Sequence, residues 1–272
     1  MVKIIINADD LGYSSVRDRG IFECFKAGAI TCASLIVNGP SAETAAKQAV
    51  DMGLPLGLHL NLTEGKPLST SPSLCDDQGN MFYKMLKLKK NMTDKEIIRE
   101  CTAQLDRFRQ LTGAYPIHVD GHQHVHILNG VPELIAPVLQ RIGVRSVRIP
   151  DEDVSNMDWV STERKKRYED RFTMAVRARL IFRQYDILAP ECFIGVGLCS
   201  TDMSQEHLNH CLSGTFGVVE LMCHPGYGST DTSERVFNDE FSRSSGRLYE
   251  CRQLQQLTMK HAKTDWSYYL KL

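Results

Sequence analysis

The stretch "VKIIINADDLGYSSVRDRGIFECF", residues 2–25, sets the architecture of the chain. It opens with an apolar run of strand length, reaches the adjacent acids Asp9 and Asp10, and continues with apolar residues near helical spacing. Repeated units of this kind imply parallel strands that are joined by helical crossovers. The two acids then lie at the carboxyl end of the first strand, where α/β proteins collect their functional residues.

The same unit recurs along the rest of the chain. Further strands are predicted at 31–38, 54–62, 116–120, 145–149, 192–197 and 217–224, and helices at 41–53, 93–113, 131–143 and 204–212. This alternation fits both a doubly wound sheet and a β/α barrel. No linker divides the 272 residues, so we predict one domain over residues 1–272.

Two segments interrupt the alternation. The first, about residues 65–90, is polar, and the second, about residues 150–190, holds a charged helix that is longer than a crossover requires. We predict that both are insertions that cap one end of the fold. At the helix starts, Ser41 is predicted to be an N-cap, and Thr93 and Glu96 are predicted to form a capping box.

Composition excludes several classes of partner. With 42% hydrophobic residues, 24% charged residues and a net charge of -1, the chain matches a globular protein without the electrostatics of a nucleic-acid or membrane binder. No apolar run approaches the roughly 20 residues that a transmembrane helix needs, and the N-terminus does not have the pattern of a secretory signal. The nine scattered cysteines include no CxxC pair, which predicts reduced thiols and a cytoplasmic location.

Side chains that can bind a metal or transfer a proton follow the ends of several predicted strands. They are Asp9 and Asp10, His59, Asp120 and His122, and His224. The segment "HVDGHQHVH", residues 118–126, is especially rich in imidazole, for which a fold has few structural uses. Because the carboxyl ends of parallel strands meet on one face, these side chains can share a pocket.

Such a set predicts metal-assisted hydrolysis. One Asp and two His form a common arrangement of three ligands for a divalent ion that keeps an open position for water. A second carboxylate can accept a proton from that water, and a histidine across the pocket can protonate the leaving group. Each group alone also has a structural explanation as a turn, a helix cap or a core histidine. It is their coincidence at strand ends that favours a site.

Five segments together resemble the YdjC-like carbohydrate deacetylases. They are "NADDLGYS" (7–14), "SLIVNGP" (34–40), "GLHLNLTEGKPL" (57–68), "HVDGHQHVH" (118–126) and "ELMCHPGY" (220–227), and they occur in the family's order from about residue 3 to 228. The resemblance implies an α/β fold of the deformed (β/α) TIM-like barrel type. It therefore decides between the two architectures that strand alternation leaves open.

The resemblance also implies an activity and a set of roles. The expected enzyme removes acetyl groups from N-acetylated carbohydrates, either amino sugars or chito-oligosaccharides, with a metal-activated water attacking the amide carbonyl. Asp10, His59 and His122 are expected to bind one divalent ion, Asp9 to act as general base and His224 as general acid. The resemblance favours Mg²⁺, whereas two imidazoles and a carboxylate suit Zn²⁺ at least as well.

Further residues are expected to assist. Asp120 is expected to support a metal ligand or to contact substrate, and Tyr13 and Tyr227 to stack on a sugar ring. His118 is expected to be structural. For His124 and His126 the sequence leaves three roles open, namely orienting a ligand, binding a sugar hydroxyl or adding polarity to a loop.

Two alternatives to the deacetylase remain. One is a metal-dependent hydrolase of another substrate class, which typically carries an early HxH pair or binds a second metal. The other is a catalytically inactive barrel that binds a sugar or a metal. Loss of Asp9 beside intact ligands would indicate the inactive protein, and Asp9 is present.

Overall fold

Parallel strands make up the whole of the sheet in this computed structural model, which describes residues 2–81, 93–228, 244–256 and 261–271. The strands are β1 (Lys3–Leu11), β2 (Cys32–Leu35), β3 (Leu56–Leu60), β4 (His118–Gly121), β5 (Ser146–Val147), β6 (Cys192–Ile194), β7 (Val218–Cys223) and β8 (Ala262–Thr264). The helices are α1 (Ser15–Lys26), α2 (Ala42–Met52), α3 (Asp94–Thr112), α4 (Val131–Ile142), α5 (Thr162–Gln184), α6 (Gln205–Leu212), α7 (Gly246–Gln256) and α8 (Trp266–Tyr269). The elements predicted from the sequence are present, with shifted ends.

The sheet curls into an incomplete barrel that is surrounded by helices. Its strand order is β5-β4-β3-β2-β1-β7-β6, and β8 pairs with the amino-terminal part of β1. Among the described residues, β5 and β6 form the two ends of this path. The predicted deformed (β/α) TIM-like barrel is therefore confirmed, and the doubly wound sheet is excluded.

The central strand β1 is buried on both faces, as strands in parallel sheets are. Ile4 and Ile6 pack into the main core, whereas Ile5 belongs to a separate apolar cluster with Trp266 and Val218. The indole of Trp266 also stacks on His118 at a centroid distance of 3.5 Å. The carboxyl-terminal segment thus fills the barrel interior beneath the polar residues, although no strand or helix was predicted from the sequence beyond residue 224.

Two helix starts differ from the prediction in their hydrogen bonds. Thr93 is the N-cap residue of α3, but its side chain makes no capping hydrogen bond. Glu96 instead accepts hydrogen bonds from the backbone and hydroxyl of Ser73, so the predicted capping box does not form. Ser41 likewise precedes α2 without a side-chain cap, because its hydroxyl donates to Asp18 at 2.5 Å.

The two predicted insertions differ in how much of them is described. Residues 82–90 of the first lie outside the described residues, and the described part forms a short turn at Pro72–Leu74 and an antiparallel bridge between Cys75 and Met81. The second contains α5. Among the described residues, no helix has both the length and the apolar character that crossing a bilayer requires.

A fully buried arginine connects strands across the barrel interior. Arg148, directly after β5, donates from Nε to Glu220 on β7 at 2.6 Å and from Nη1 and Nη2 to Asp9 on β1 at 2.5 and 2.7 Å. Its Nη2 also lies 3.0 Å from Asp120 on β4. One fully buried guanidinium therefore binds carboxyl groups from three strands.

Replacing Arg148 is predicted to be strongly destabilising. Arg148→Met leaves buried carboxylates without their cation, which typically costs about 3–5 kcal/mol in the free energy of unfolding. Chemical denaturation of the variant measures this loss, and Arg145→Met, at an exposed position nearby, is the matched control.

The loss should also depend on pH. In the native protein burial raises the pKa of Asp120, but Arg148 and His59 more than offset this and hold it below its ordinary value. Without Arg148 that pKa rises, so the difference between variant and native protein should shrink as the pH falls from 7 toward about 4, the ordinary carboxyl value. A difference that is small at pH 7, or that grows in acid, contradicts this account of the interior.

Candidate active site

A cavity of about 460 Å³ opens at the carboxyl ends of the strands. The structure brings five of the predicted site residues into its lining: Asp9, Asp10, His59, His122 and His224. They come from β1, β3, the turn after β4 and the residue that directly follows β7, which are far apart in the sequence. These five residues, which were predicted to lie at strand ends, therefore line one cavity.

An irregularity in β1 lets two neighbouring acids face the same cavity. In a regular strand successive side chains point to opposite faces. Here the register against β2 shifts between Ala8 and Leu11, and Asp10 has a left-handed backbone with φ 68°. A non-glycine residue in this region stores strain of about 1–3 kcal/mol, which functional sites often retain.

Asp10 is the centre of the charged cluster. Its Oδ1 lies 3.2 Å from His59 Nε2 and 2.8 Å from His122 Nδ1. Its Oδ2 lies 3.1 Å from Arg17 Nη1 and 2.8 Å from Arg247 Nη2. Burial raises the pKa of Asp10, but His122 and the two arginines outweigh it and hold the pKa well below its ordinary value. The carboxylate is therefore ionised at neutral pH.

Each of the two imidazoles has a second carboxylate behind it. His59 Nδ1 lies 2.7 Å from Asp120 Oδ1, and His122 Nε2 lies 3.1 Å from Glu64 Oε1. These contacts fix the ring orientations, so that His59 Nε2 and His122 Nδ1 face Asp10. Burial lowers the pKa of both histidines, but Asp120 and Asp9 raise that of His59 to about 9, and Asp10 and Glu64 raise that of His122 to about 10.

The donor atoms of Asp10, His59 and His122 are suitably placed for a divalent metal ion. They all lie within 4.8 Å of one another and belong to buried residues. Asp120 contributes to two further groups of possible ligands, but it does not line the cavity and its carboxylate already contacts Arg148 and His59. Mixed carboxylate and imidazole donors suit Zn²⁺ and related ions, so the Asp10 group fits a metal that is accessible to substrate.

Asp9 and His224 lie beside this group. Asp9 is oriented by its two hydrogen bonds from Arg148, and its Oδ2 lies 3.8 Å from His224 Nε2 and 4.0 Å from His59 Nε2. The backbone N–H of His224 donates to Glu250 at 2.6 Å. Burial lowers the pKa of His224 to about 4, because the nearby Asp9 carboxylate only partly offsets it. At neutral pH the His224 side chain is therefore uncharged.

Asp120 and His118 lie deeper than the cavity. Asp120 is fully buried, where it orients His59, contacts Arg148 and accepts a hydrogen bond from Ser34 at 2.5 Å. Of the two expected roles of Asp120, its position fits support of His59. His118 is fully buried against Trp266, and burial lowers its pKa well below the ordinary value.

The two predicted sugar-stacking tyrosines are not among the residues that line the cavity. Tyr13 is buried, and its hydroxyl donates to Glu64 at 2.9 Å. Tyr227 donates its hydroxyl to Glu23 on α1. The aromatic side chain in the cavity lining is Tyr168 of α5, a helix within the second predicted insertion.

Several charged residues of the site were missed in the sequence, among them Arg17, which contacts Asp10. Arg148 directly follows β5, so its place at a strand end was a signal that could have found it. Glu64 lies within one of the five family segments but was not singled out. Arg247 is on α7, beyond the last predicted strand, and nothing in the sequence pattern marks it as a partner of Asp10.

Comparison with known proteins links the chain to named relatives. A family model described as YdjC-like protein matches residues 3–265. The chain is 35% identical to the carbohydrate deacetylase of Homo sapiens, with 95% of this chain and 86% of that protein covered. It is 28% identical to the chitooligosaccharide deacetylase of Salmonella paratyphi C, with 97% and 95% covered. A crystal structure from Enterococcus faecalis V583 shares the fold, with a TM-score of 0.74 at 22% identity over 98% of both chains.

The histidine pKa values predict how the stability of the metal-free protein depends on pH. His59 and His122 titrate at about 9 and about 10 in the folded chain, against an ordinary value of about 6.5. Their stabilising contribution is then fully present below pH 6.5 and lost as the pH rises through the folded values.

Thermal melts in a chelator should therefore show the melting temperature falling by several degrees between pH 6.5 and 10. His122→Gln should flatten this dependence, whereas His210→Gln, at an exposed position, should not. A native protein whose stability is constant over this interval contradicts the assignment of two protonated imidazoles.

Proposed function

The chain belongs to the YdjC-like family, and on that premise we propose that it is a metal-dependent carbohydrate deacetylase that removes acetyl groups from N-acetylated amino sugars or chito-oligosaccharides. Two relatives are named carbohydrate deacetylase and chitooligosaccharide deacetylase. The observation that carries the proposal is the convergence of Asp10, His59 and His122 in one cavity, with Asp9 beside them.

The first element of the mechanism is the ion. Asp10, His59 and His122 would hold it, since their donor atoms face one another and the remaining ring nitrogens are bound to carboxylates. A divalent ion, when bound, lowers the pKa of water from about 15.7 toward about 7 and polarises the acetyl carbonyl. The family resemblance favours Mg²⁺, and the two imidazoles favour Zn²⁺.

Asp9 is the residue that accepts the proton of the attacking water. Arg148 holds the carboxylate by two hydrogen bonds, which leaves Oδ2 between His59 Nε2 at 4.0 Å and His224 Nε2 at 3.8 Å. From this position Asp9 reaches both the metal ligands and the second catalytic residue. A base that is fixed in this way needs no reorientation during proton transfer.

His224 delivers the proton to the leaving group. Because burial keeps its imidazole uncharged at neutral pH, it must gain a proton before it can act as an acid. Asp9 is the donor that we assign to it, since Asp9 Oδ2 lies 3.8 Å from His224 Nε2 in this structure. We therefore route one proton from water to Asp9, then to His224 and then to the amine nitrogen, while the carbon–nitrogen bond breaks and acetate is released.

We also propose a cytoplasmic location for this activity. The structure contains nine free cysteines, of which six are buried. Free thiols in this number are typical of a reducing compartment.

Substitution of Asp9 separates catalysis from metal binding. Asp9→Asn keeps the size of the side chain but removes the base, so acetate release should fall by about 10²–10⁴-fold. Metal content, measured by elemental analysis, should remain that of the native protein. Asp51→Asn, at an exposed position, is the control. Full activity of Asp9→Asn would exclude Asp9 as the base, and absence of acetate release by the native protein from every N-acetylated sugar, with Mg²⁺ and with Zn²⁺, would reject the deacetylase.

Glu64 is expected to affect metal affinity through His122. Loss of a carboxylate that orients a ligand typically weakens metal binding by about 10–100-fold. Glu64→Ala should show this loss in a Zn²⁺ competition assay with a chromophoric chelator, and Glu64→Gln, which can still accept from the imidazole, should lose less. Glu43→Ala, with a side chain that is 83% exposed, should change nothing. Equal affinities for all variants would mean that His122 is not a ligand.

A further inference from the structure

The turn after β4 has an unusual backbone. In the segment His122–Ile127, Gln123 has φ 52° and His124 has φ 59°. Glycine occupies the left-handed region most readily, and asparagine, aspartate and histidine are enriched there among the other residues. Two consecutive non-glycine residues in this region are uncommon, and such positions cluster at functional sites.

The protein's own contacts explain Gln123 but leave His124 unexplained. The Gln123 amide donates to Glu64 at 3.0 Å and so strengthens the carboxylate that orients His122. His124 is only 6% exposed and lines the cavity. Within the described part of the chain, its buried Nδ1 has no hydrogen-bond partner. Leaving this nitrogen unsatisfied is costly, and the ring keeps unused hydrogen-bonding capacity that a ligand in the cavity can meet.

Packing holds the His124 ring in place. It makes edge-to-face contacts with Phe193 on β6 and with His126, each at a centroid distance of 6.4 Å. His126 differs from it, because it is fully buried and its Nε2 lies 2.9 Å from the carbonyl oxygen of Arg148. Of these two histidines, His124 is the one in the cavity lining.

Metal binding does not account for His124. It belongs to none of the groups of donor atoms that could hold an ion among the described residues. An imidazole ring can donate through one nitrogen and accept through the other. A hydroxyl group both donates and accepts, so it matches such a ring, and carbohydrates carry several hydroxyls around each ring.

We propose that His124 is a substrate-binding residue whose imidazole forms a hydrogen bond with a hydroxyl of the sugar unit held above Asp10, His59 and His122. This proposal rests on the proposed function, because it takes the ligand to be an N-acetylated sugar. His124 is two residues from His122 on the same turn. The contact therefore lies next to the reacting group and selects the sugar that presents its hydroxyl there.

The test uses the full chain loaded with Zn²⁺, in an Asp9→Asn background that prevents turnover. Calorimetry measures the binding of di-N-acetylchitobiose to three proteins in this background: the one that retains His124, and the His124→Gly and His124→Asn variants. Glycine accepts the left-handed backbone but removes a packed ring, so the melting temperature is measured to show that the variant remains folded. Sugar binding should nevertheless weaken roughly tenfold. Asparagine tolerates the left-handed backbone and keeps a donor and an acceptor, so it should retain binding within about threefold.

A set of monodeoxy analogues identifies the contact. The analogue that lacks the contacted hydroxyl should bind equally to His124 and His124→Gly, whereas the other analogues should lose affinity as the parent sugar does. Unchanged binding by His124→Gly overturns the proposal, as does an equal loss for every analogue or a failure of the His124 protein to bind any sugar. If His124→Gly weakens binding while the native protein releases no acetate, the contact stands and the deacetylase function fails.

Discussion

The structure depends on the compensation of carboxylates inside the barrel. Asp9, Asp120 and Glu220 come from three strands, and the fully buried guanidinium of Arg148 contacts all three. Burial raises the pKa of Glu220 to about 8 despite the opposing effect of Arg148, so this carboxyl group is mostly uncharged at neutral pH. Because a buried charge without a partner is far costlier than a buried pair is favourable, this arginine determines whether the interior can be polar at all. The same contacts that permit the fold also orient the proposed base.

The charge of the proposed metal site follows from this arrangement. Two imidazoles with raised pKa values carry two positive charges in the metal-free protein at neutral pH. A divalent ion that displaces those two protons leaves the total charge of the cluster unchanged. The surrounding arginines and carboxylates can therefore keep their positions in both forms, and the carboxylates behind His59 and His122 orient the rings for either occupant.

The sequence predicted the parts of the site that follow from strand direction. Asp10, His59 and His122 each stand at or just beyond a strand end, and parallel strands bring such positions together. The left-handed backbone of Asp10 and the reach of Arg148 across the interior depend on the curl of the sheet, which local periodicity does not encode. The prediction of a capping box at Thr93 and Glu96 was wrong for a similar reason. Ser73, which is distant in sequence, binds the Glu96 carboxylate instead. The contact between Arg247 on α7 and Asp10 could not be predicted either, because it joins residues that only the tertiary structure brings together.

The central claim is that Asp10, His59 and His122 share one cation in the cavity. Diffraction from crystals grown with Zn²⁺, recorded on both sides of the zinc absorption edge, tests it most directly. The account predicts one anomalous peak about 2.0–2.2 Å from a carboxylate oxygen of Asp10, from His59 Nε2 and from His122 Nδ1. A peak bound by other side chains, or fully loaded protein without a peak at these atoms, would contradict it.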